Sequence, residues 1–170
     1  NLKCLSVHIG SQIVNNLPYE KMLKVIDRVI KKSNHKFEFI DLGGGMGIAY
    51  NNKTKKLNYK KYNISINKFL KNHNSKIIFE PGRSIIGNTG ILISKIIYIK
   101  KNKDKDFIIL DAAMNDLMRP ALYGVNHRII PAIKKSKKSK KTYEFVGPIC
   151  ESTDKFLTLK NFQKLNEKDL

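Results

Sequence analysis

The sequence predicts an α/β segment followed by an all-β segment, on three observations. Before Gly90, short apolar runs of strand length alternate with stretches of helical periodicity. After Gly90 the helical period fades, and Ile-rich runs separated by polar turns take over. The three strand-like runs of the first segment also end in residues suited to a binding site: His8, then Gly43-Gly44-Gly45, then Glu80 with Arg83.

Leu2–Ile9 reads as a strand, with Cys4, Ser6 and His8 on one face and Leu5, Val7 and Ile9 on the other. A helix follows, with Pro18 in its first turn and Tyr19, Met22, Leu23, Ile26, Val29 and Ile30 at helical spacing. Phe37–Leu42 is a second strand. Tyr59, Tyr62, Ile66, Phe69 and Leu70 mark a second helix, with Asn58 as its N-cap. Lys76–Glu80 is a third strand, ended by Pro81-Gly82. Strand–helix alternation implies parallel pairing with helices outside. Site residues at C-terminal strand ends are the arrangement of a (β/α)8 barrel, which needs about 250 residues. Three strands of eight, a start at Asn1 rather than Met, and an end without a tail signature are read as cuts in a longer chain.

In the second segment, Ile91–Ile99 and Phe107–Leu110 flank the polar Lys100–Asp106 turn. His127–Ile130, Tyr143–Val146 and Phe156–Leu159 are further strand candidates, and Met114–Leu122 carries the one weak helical pattern. A mostly antiparallel β domain is expected, with the boundary between residues 88 and 89.

Composition narrows the functional classes. Hydrophobic residues make up 41% of the chain, enough for a packed core. No apolar run reaches the roughly 18 residues of a membrane span, and no signal peptide is visible, so no membrane partner is expected. The net charge of +19 favours anionic partners in general. Its lysines, however, lie in runs such as Lys100–Lys105 and Lys134–Lys141, diluted with Asn and Ser, which read as solvated loops. Without zinc-finger spacing or an RNP-type motif, no nucleic-acid partner and no metal are expected. Two cysteines, Cys4 and Cys150, make no disulfide framework and fit a reducing compartment, cytosolic or organellar, with a cytoplasmic location expected.

Five segments carry chemistry, and each has a plainer alternative. Bare glycines in Asp41–Gly47 let backbone amides converge on an anion such as phosphate, or simply make a tight turn. Glu80-Pro81-Gly82-Arg83 offers a carboxylate for a ring nitrogen and a guanidinium for an acid, or a surface ion pair. His8-Ile9-Gly10-Ser11 offers an imidazole face and a hydroxyl, or a structural histidine. Asn115–Tyr123 places Arg119 and Tyr123 on one helical face, or forms a turn with one buried tyrosine. Gly147–Ser152 exposes the Cys150 thiol beside Glu151, or buries a small hydrophobe, the reading kept for Cys4.

Together, His8-Ile9-Gly10-Ser11-Gln12, Asp41–Gly47, Glu80–Ser84, Asp111–Tyr123 and Gly147–Ser152 resemble the diaminopimelate decarboxylases, in the alanine racemase/ornithine decarboxylase-like group of fold-type III pyridoxal 5'-phosphate enzymes. The segments run in that family's order. Ornithine decarboxylases share the glycine run and Glu-Pro-Gly-Arg, but their thiol is followed by aspartate, where Glu151 follows Cys150 here. The resemblance implies part of a pyridoxal-phosphate-binding (β/α)8 TIM barrel over residues 1–88. It implies a C-terminal β-barrel or sandwich domain, incomplete, over 89–170, and a homodimer with shared active sites. It implies that His8 packs on the pyridine ring, that Ser11, Gly45 and Pro81-Gly82-Arg83 hold the phosphate, and that Glu80 faces the ring nitrogen. Arg83, Arg119 and Tyr123 would bind the distal carboxylate of meso-diaminopimelate. Cys150 would return a proton to the substrate, and Glu151 would meet its distal amine. The lysine that links the cofactor and a late phosphate-binding tyrosine are expected outside this chain, which alone should be inactive. The competing readings are an ornithine or arginine decarboxylase relative, a non-catalytic homologue, and a basic nucleic-acid-binding module.

Overall fold

The computed structural model describes residues 2–50 and 54–170, which divide into two compact units, Asn1–Gly90 and Ile91–Leu170. The first unit runs β1 (Cys4–Ser6), α1 (Leu17–Ser33), β2 (Phe39–Asp41), α2 (Tyr59–Leu70), β3 (Lys76–Ile78) and α3 (Arg83–Ile86). Its three strands are parallel, with β2 in the centre and Leu5, Ile40 and Ile77 in register. Pro18 sits in the first turn of α1, where a missing N–H costs nothing. Asn58 caps α2 by accepting from the Lys61 amide at 2.9 Å. The Asn16 side chain donates to the Asn58 carbonyl at 3.0 Å, which ties the two helix starts together.

Both helices turn their apolar stripe to the sheet. Tyr19, Met22, Leu23 and Ile26 of α1 meet Tyr62, Ile66 and Phe69 of α2 over the fully buried Ile40. Each such side chain contributes about 1.5–3 kcal/mol on leaving water. The strands are shorter than the apolar runs that announced them. Cys4 is exposed rather than the small buried hydrophobe expected, because β1 is an edge strand with no neighbour on its other side among the described residues.

The second unit contains β4 (Ile96–Lys100), β5 (Lys105–Leu110), α4 (Arg119–Tyr123), β6 (Thr142–Val146) and β7 (Lys155–Leu159). They form a four-stranded sheet in the order β4-β5-β6-β7. The outer ladders are antiparallel, but the central pair β5 and β6 is parallel, with Phe107 opposite Glu144. The long connection through α4 carries the chain back to the starting edge, as parallel pairing requires. Ile96, Ile108, Tyr143, Phe145, Phe156 and Leu165 form the core. Glu144 is buried on this sheet between Lys105 and Lys155 of the flanking strands.

Two expectations are corrected here. His127–Ile130 forms no strand; Ile129 packs against the core, so its apolar character serves burial and not pairing. The Ile91–Ile99 run pairs only from Ile96, and Ile91 and Ile93 are exposed. The described residues hold one open sheet of three parallel strands and one of four mixed strands. No helix among the described residues is long and apolar enough to cross a membrane.

Candidate active site

Within the first unit, the C-terminal ends of β1, β2 and β3 meet on one rim, and glycines make the meeting possible. A Cβ at Gly43 would lie 2.5 Å from the Val7 carbonyl oxygen and 3.0 Å from His8 Nδ1. One at Gly44 would lie 2.1 Å from the Glu80 carbonyl oxygen, and one at Gly45 would lie 2.2 Å from that of Gly10. No side chain larger than hydrogen fits there. Gly43 and Gly45 also adopt positive φ, +64° and +83°, which L side chains resist. The glycine run is therefore a seam that draws neighbouring strand ends together. His8 Nδ1 accepts from the Gly44 amide at 3.4 Å, and the Glu80 amide donates to the Gly43 carbonyl at 2.9 Å. His8, Gly45, Glu80 and Arg83 thus lie around one rim, with Ser11 and Pro81-Gly82 in the adjoining turns.

The rim exposes donors. Among the described residues, the amides of Gly45, Gly82 and Arg83 have no acceptor. A Cβ at Gly82 would meet nothing within 4 Å, so that turn is uncrowded on its Cβ side. Convergent N–H groups beside a guanidinium form a concavity for an anion.

Three further residues hold this rim, and the motif reading gave none of them a role. Asp41 is buried; one oxygen accepts from the Gly43 amide at 2.8 Å and the other from the Ser6 hydroxyl at 3.0 Å. The fully buried Tyr19 donates its hydroxyl to the Gly44 carbonyl at 3.2 Å. Burial, with Tyr59 nearby, pushes its pKa up to about 12, so it stays a donor at any working pH. Gln12 bonds both polar groups of Ile48 and the Arg83 guanidinium. Asp41 and Tyr19 were visible as a strand-end acid and a helical core tyrosine, but their partners lie 2 to 35 residues away in sequence.

In the second unit, α4 places Arg119 over the Tyr123 ring, 5.3 Å from guanidinium carbon to ring centroid. Arg119 Nε is buried with no hydrogen-bond partner among the described residues. Burial and the Arg119 charge both push the His127 imidazole pKa down. Gly124, at φ +60°, ends the helix in the left-handed conformation. Cys150 and Glu151 lie exposed in the turn after β6. Glu151 accepts from the Thr153 amide at 3.2 Å and from the Ser152 hydroxyl at 3.1 Å, which holds its carboxyl below the usual range.

Asp154 joins the two segments. It is 3% exposed; Oδ1 accepts from the Met114 amide at 2.7 Å and Oδ2 from the Ile149 amide at 2.8 Å. Gly147 leaves room for it, since a Cβ there would sit 2.2 Å from Oδ2. One buried carboxylate thus fixes both the Asp111–Tyr123 segment and the Cys150 turn. The sequence reading missed it; the signal was a lone acid four residues beyond the cysteine.

The chain matches the family described as pyridoxal-dependent decarboxylase, C-terminal sheet domain, over residues 19–170. The chain belongs to the pyridoxal-dependent decarboxylases. It is 41% identical over 172 residues to a diaminopimelate decarboxylase of Zymomonas mobilis, covering 98% of this chain and 40% of that protein. It is 42% identical over 165 residues to one of Aquifex aeolicus, covering 94% of this chain and 39% of that protein. Among solved structures, diaminopimelate decarboxylase from Helicobacter pylori complexed with L-lysine superposes with a TM-score of 0.82 at 36% identity, covering 98% of this chain and 41% of that one. The enzyme from M. jannaschii in complex with L-lysine gives 0.86 at 32% identity, covering 96% and 39%. The chain thus spans about two fifths of the length of the decarboxylases it matches.

Proposed function

We propose that the full-length protein is a diaminopimelate decarboxylase, which uses pyridoxal 5'-phosphate to convert meso-2,6-diaminopimelate to L-lysine and CO2. The observation that carries this reading is the rim of the first unit, where His8, the Gly43–Gly45 run and the Glu80–Arg83 segment come together at three strand ends. The relatives that the chain resembles along nearly its whole length are named for the same reaction. On this reading the first unit is the closing arc of a (β/α)8 barrel, the second is the C-terminal β domain, and the boundary lies at residues 88–89. The protein works in the cytoplasm as a homodimer with shared active sites.

The residues present fit a phosphorylated aromatic ring. The amides of Gly45, Gly82 and Arg83 have no acceptor among the described residues, so a dianionic phosphate would find donors there, and the Ser11 hydroxyl would add another. When bound, pyridoxal phosphate supplies a sink for the electron pair left at Cα as CO2 departs. Glu80 would hold a proton on the ring nitrogen, and His8 would cover a ring face. Cys150 would give a proton to the substrate's Cα. Arg83, Arg119 and Tyr123 would grip the distal carboxylate, and Glu151 the distal ammonium. A substrate with an amino-acid head at each end must be held by one for the other to react, and two guanidinium groups and a carboxylate suit that task.

Purified full-length protein, supplied with pyridoxal phosphate, should release CO2 and lysine from meso-diaminopimelate and should prefer it to ornithine or arginine. Turnover of ornithine or arginine above that of meso-diaminopimelate would overturn the substrate assignment. Cofactor absorbance with no turnover of any of them would identify a non-catalytic relative.

A further inference from the structure

We propose that Gln12 is a positioning residue for Arg83: its side-chain amide fixes the guanidinium on the rim without neutralising it, and so sets recognition of a second carboxylate on the substrate. The proposal rests on the reading of Arg83 as a ligand of the distal carboxylate.

Gln12 adopts φ +62°, a left-handed conformation that a non-glycine residue occupies at a cost. Its backbone is closely packed. Gly47 presses on the Gln12 backbone so closely that a Cβ there would lie 2.9 Å from the Gln12 carbonyl carbon. Glycine would relieve the backbone, yet a side chain is present and fully engaged. Gln12 Nε2 donates to the Ile48 carbonyl at 2.6 Å, while Oε1 accepts from the Ile48 amide at 3.3 Å and from Arg83 Nη1 at 3.1 Å. These three bonds leave the amide one orientation. Turned over, it would set N–H donors against the Ile48 amide and against Arg83.

One side chain thus links the loops that follow β1, β2 and β3. Arg83 itself makes no ion pair among the described residues. Among the described residues its side chain bonds only a neutral oxygen, which leaves its charge unneutralised and its remaining donors unused by them. A carboxylate at position 12 would satisfy Arg83 and compete with an incoming acid. A position without an acceptor would leave the guanidinium free to sample many rotamers, which a ligand would then have to freeze. A neutral amide is the side chain that orients an arginine and leaves it hungry for an anion.

The test uses the full-length protein loaded with pyridoxal phosphate, with Gln12→Gly and Gln12→Glu. Glycine tolerates the φ, so the first variant removes the amide without backbone strain. Pimelate, a dicarboxylate that cannot be turned over, is titrated by calorimetry, and meso-diaminopimelate kinetics are run in parallel. Losing an acceptor that orients a charged donor should weaken pimelate binding about ten- to hundredfold and raise KM by a similar factor. The kcat should stay within about threefold, the signature of lost uniform binding. Gln12→Glu should bind pimelate more weakly still. The inference is overturned if both variants keep pimelate affinity and KM within about twofold of the parent. It is also overturned if kcat, KM and cofactor retention decline together, which marks a merely structural residue, or if the parent binds no pimelate. A parent that binds pimelate but releases no CO2 from meso-diaminopimelate defeats the proposed function alone, and the variants' pimelate affinities still decide the role of Gln12.

Discussion

Replacing Gly44 with alanine tests whether the glycine run is a packing seam. Gly44 is suited to this because its φ is not positive, so backbone strain does not cloud the result. The new Cβ would lie 2.1 Å from the Glu80 carbonyl oxygen, and that contact must open to at least 3.0 Å. The shift falls on the residue whose amide, in the preceding peptide, donates to Gly43 at 2.9 Å. Overpacking of this kind costs about 1–3 kcal/mol, and a weakened hydrogen bond adds about 1 kcal/mol. The reduced freedom of the unfolded chain returns about 0.4–1 kcal/mol. The net expectation is a loss of about 1–3 kcal/mol, read as a lower urea midpoint at unchanged slope. Because Glu80 moves by nearly an ångström, turnover of the full-length protein should fall by about 100-fold. Gly90→Ala is the control: its Cβ meets nothing within 4 Å and its φ is not positive. That variant should stay within about 0.5 kcal/mol of the parent. Equal effects at the two sites, or no effect at Gly44, would refute the seam.

Other predictions follow from the second unit. Cys150→Ala should lower turnover of the full-length protein by about 10²–10⁴, the range for a positioned proton donor. It should leave cofactor affinity and, because Cys150 is exposed, the melting temperature nearly unchanged; a parallel loss of cofactor would remove the thiol from the chemistry. Asp154→Asn keeps the shape but sets an N–H₂ against one of two buried backbone donors. It should cost about 1–3 kcal/mol and change the rate at which iodoacetamide alkylates Cys150; an unchanged rate would show that Asp154 does not hold that turn. Burial raises the Glu144 pKa, but hydrogen bonds and charge from Lys105 and Lys155 outweigh it, and the net shift is downward. Its stabilisation is therefore complete above the unfolded value of about 4.3 and is lost as pH falls through the lower folded value. Glu144→Gln should destabilise the protein at pH 7, and the gap to the parent should close below about pH 4. A gap that persists undiminished in acid would assign the effect to packing.

The sequence disclosed what depends on neighbours along the chain. The helix that opens on Pro18, the Asn58 cap, and the Arg119–Tyr123 face are contacts over four residues or fewer, and each stands where its spacing puts it. What was hidden depends on partners far away. Whether β5 and β6 run parallel is settled by the path of the connection through α4, which no local period encodes. Whether Ile129 is apolar for pairing or for burial is settled by what lies across from it.

The candidate site follows the same division. Residues that would touch a ligand carry distinctive chemistry, such as a thiol, an imidazole or a guanidinium, and they stand out even in isolation. Residues that hold them in place are ordinary: an aspartate in Asp154, a glutamine in Gln12, a tyrosine in Tyr19. Their significance lies in which backbone groups they satisfy, and that is a property of the folded chain. The glycine run shows both aspects at once. Read as sequence, Gly43–Gly45 is a bed of bare amides; folded, most of its lost side-chain volume is filled by the Val7, Gly10 and Glu80 carbonyls. The two uses would be one device, because bringing three strand ends together requires removing the side chains that would stand between them.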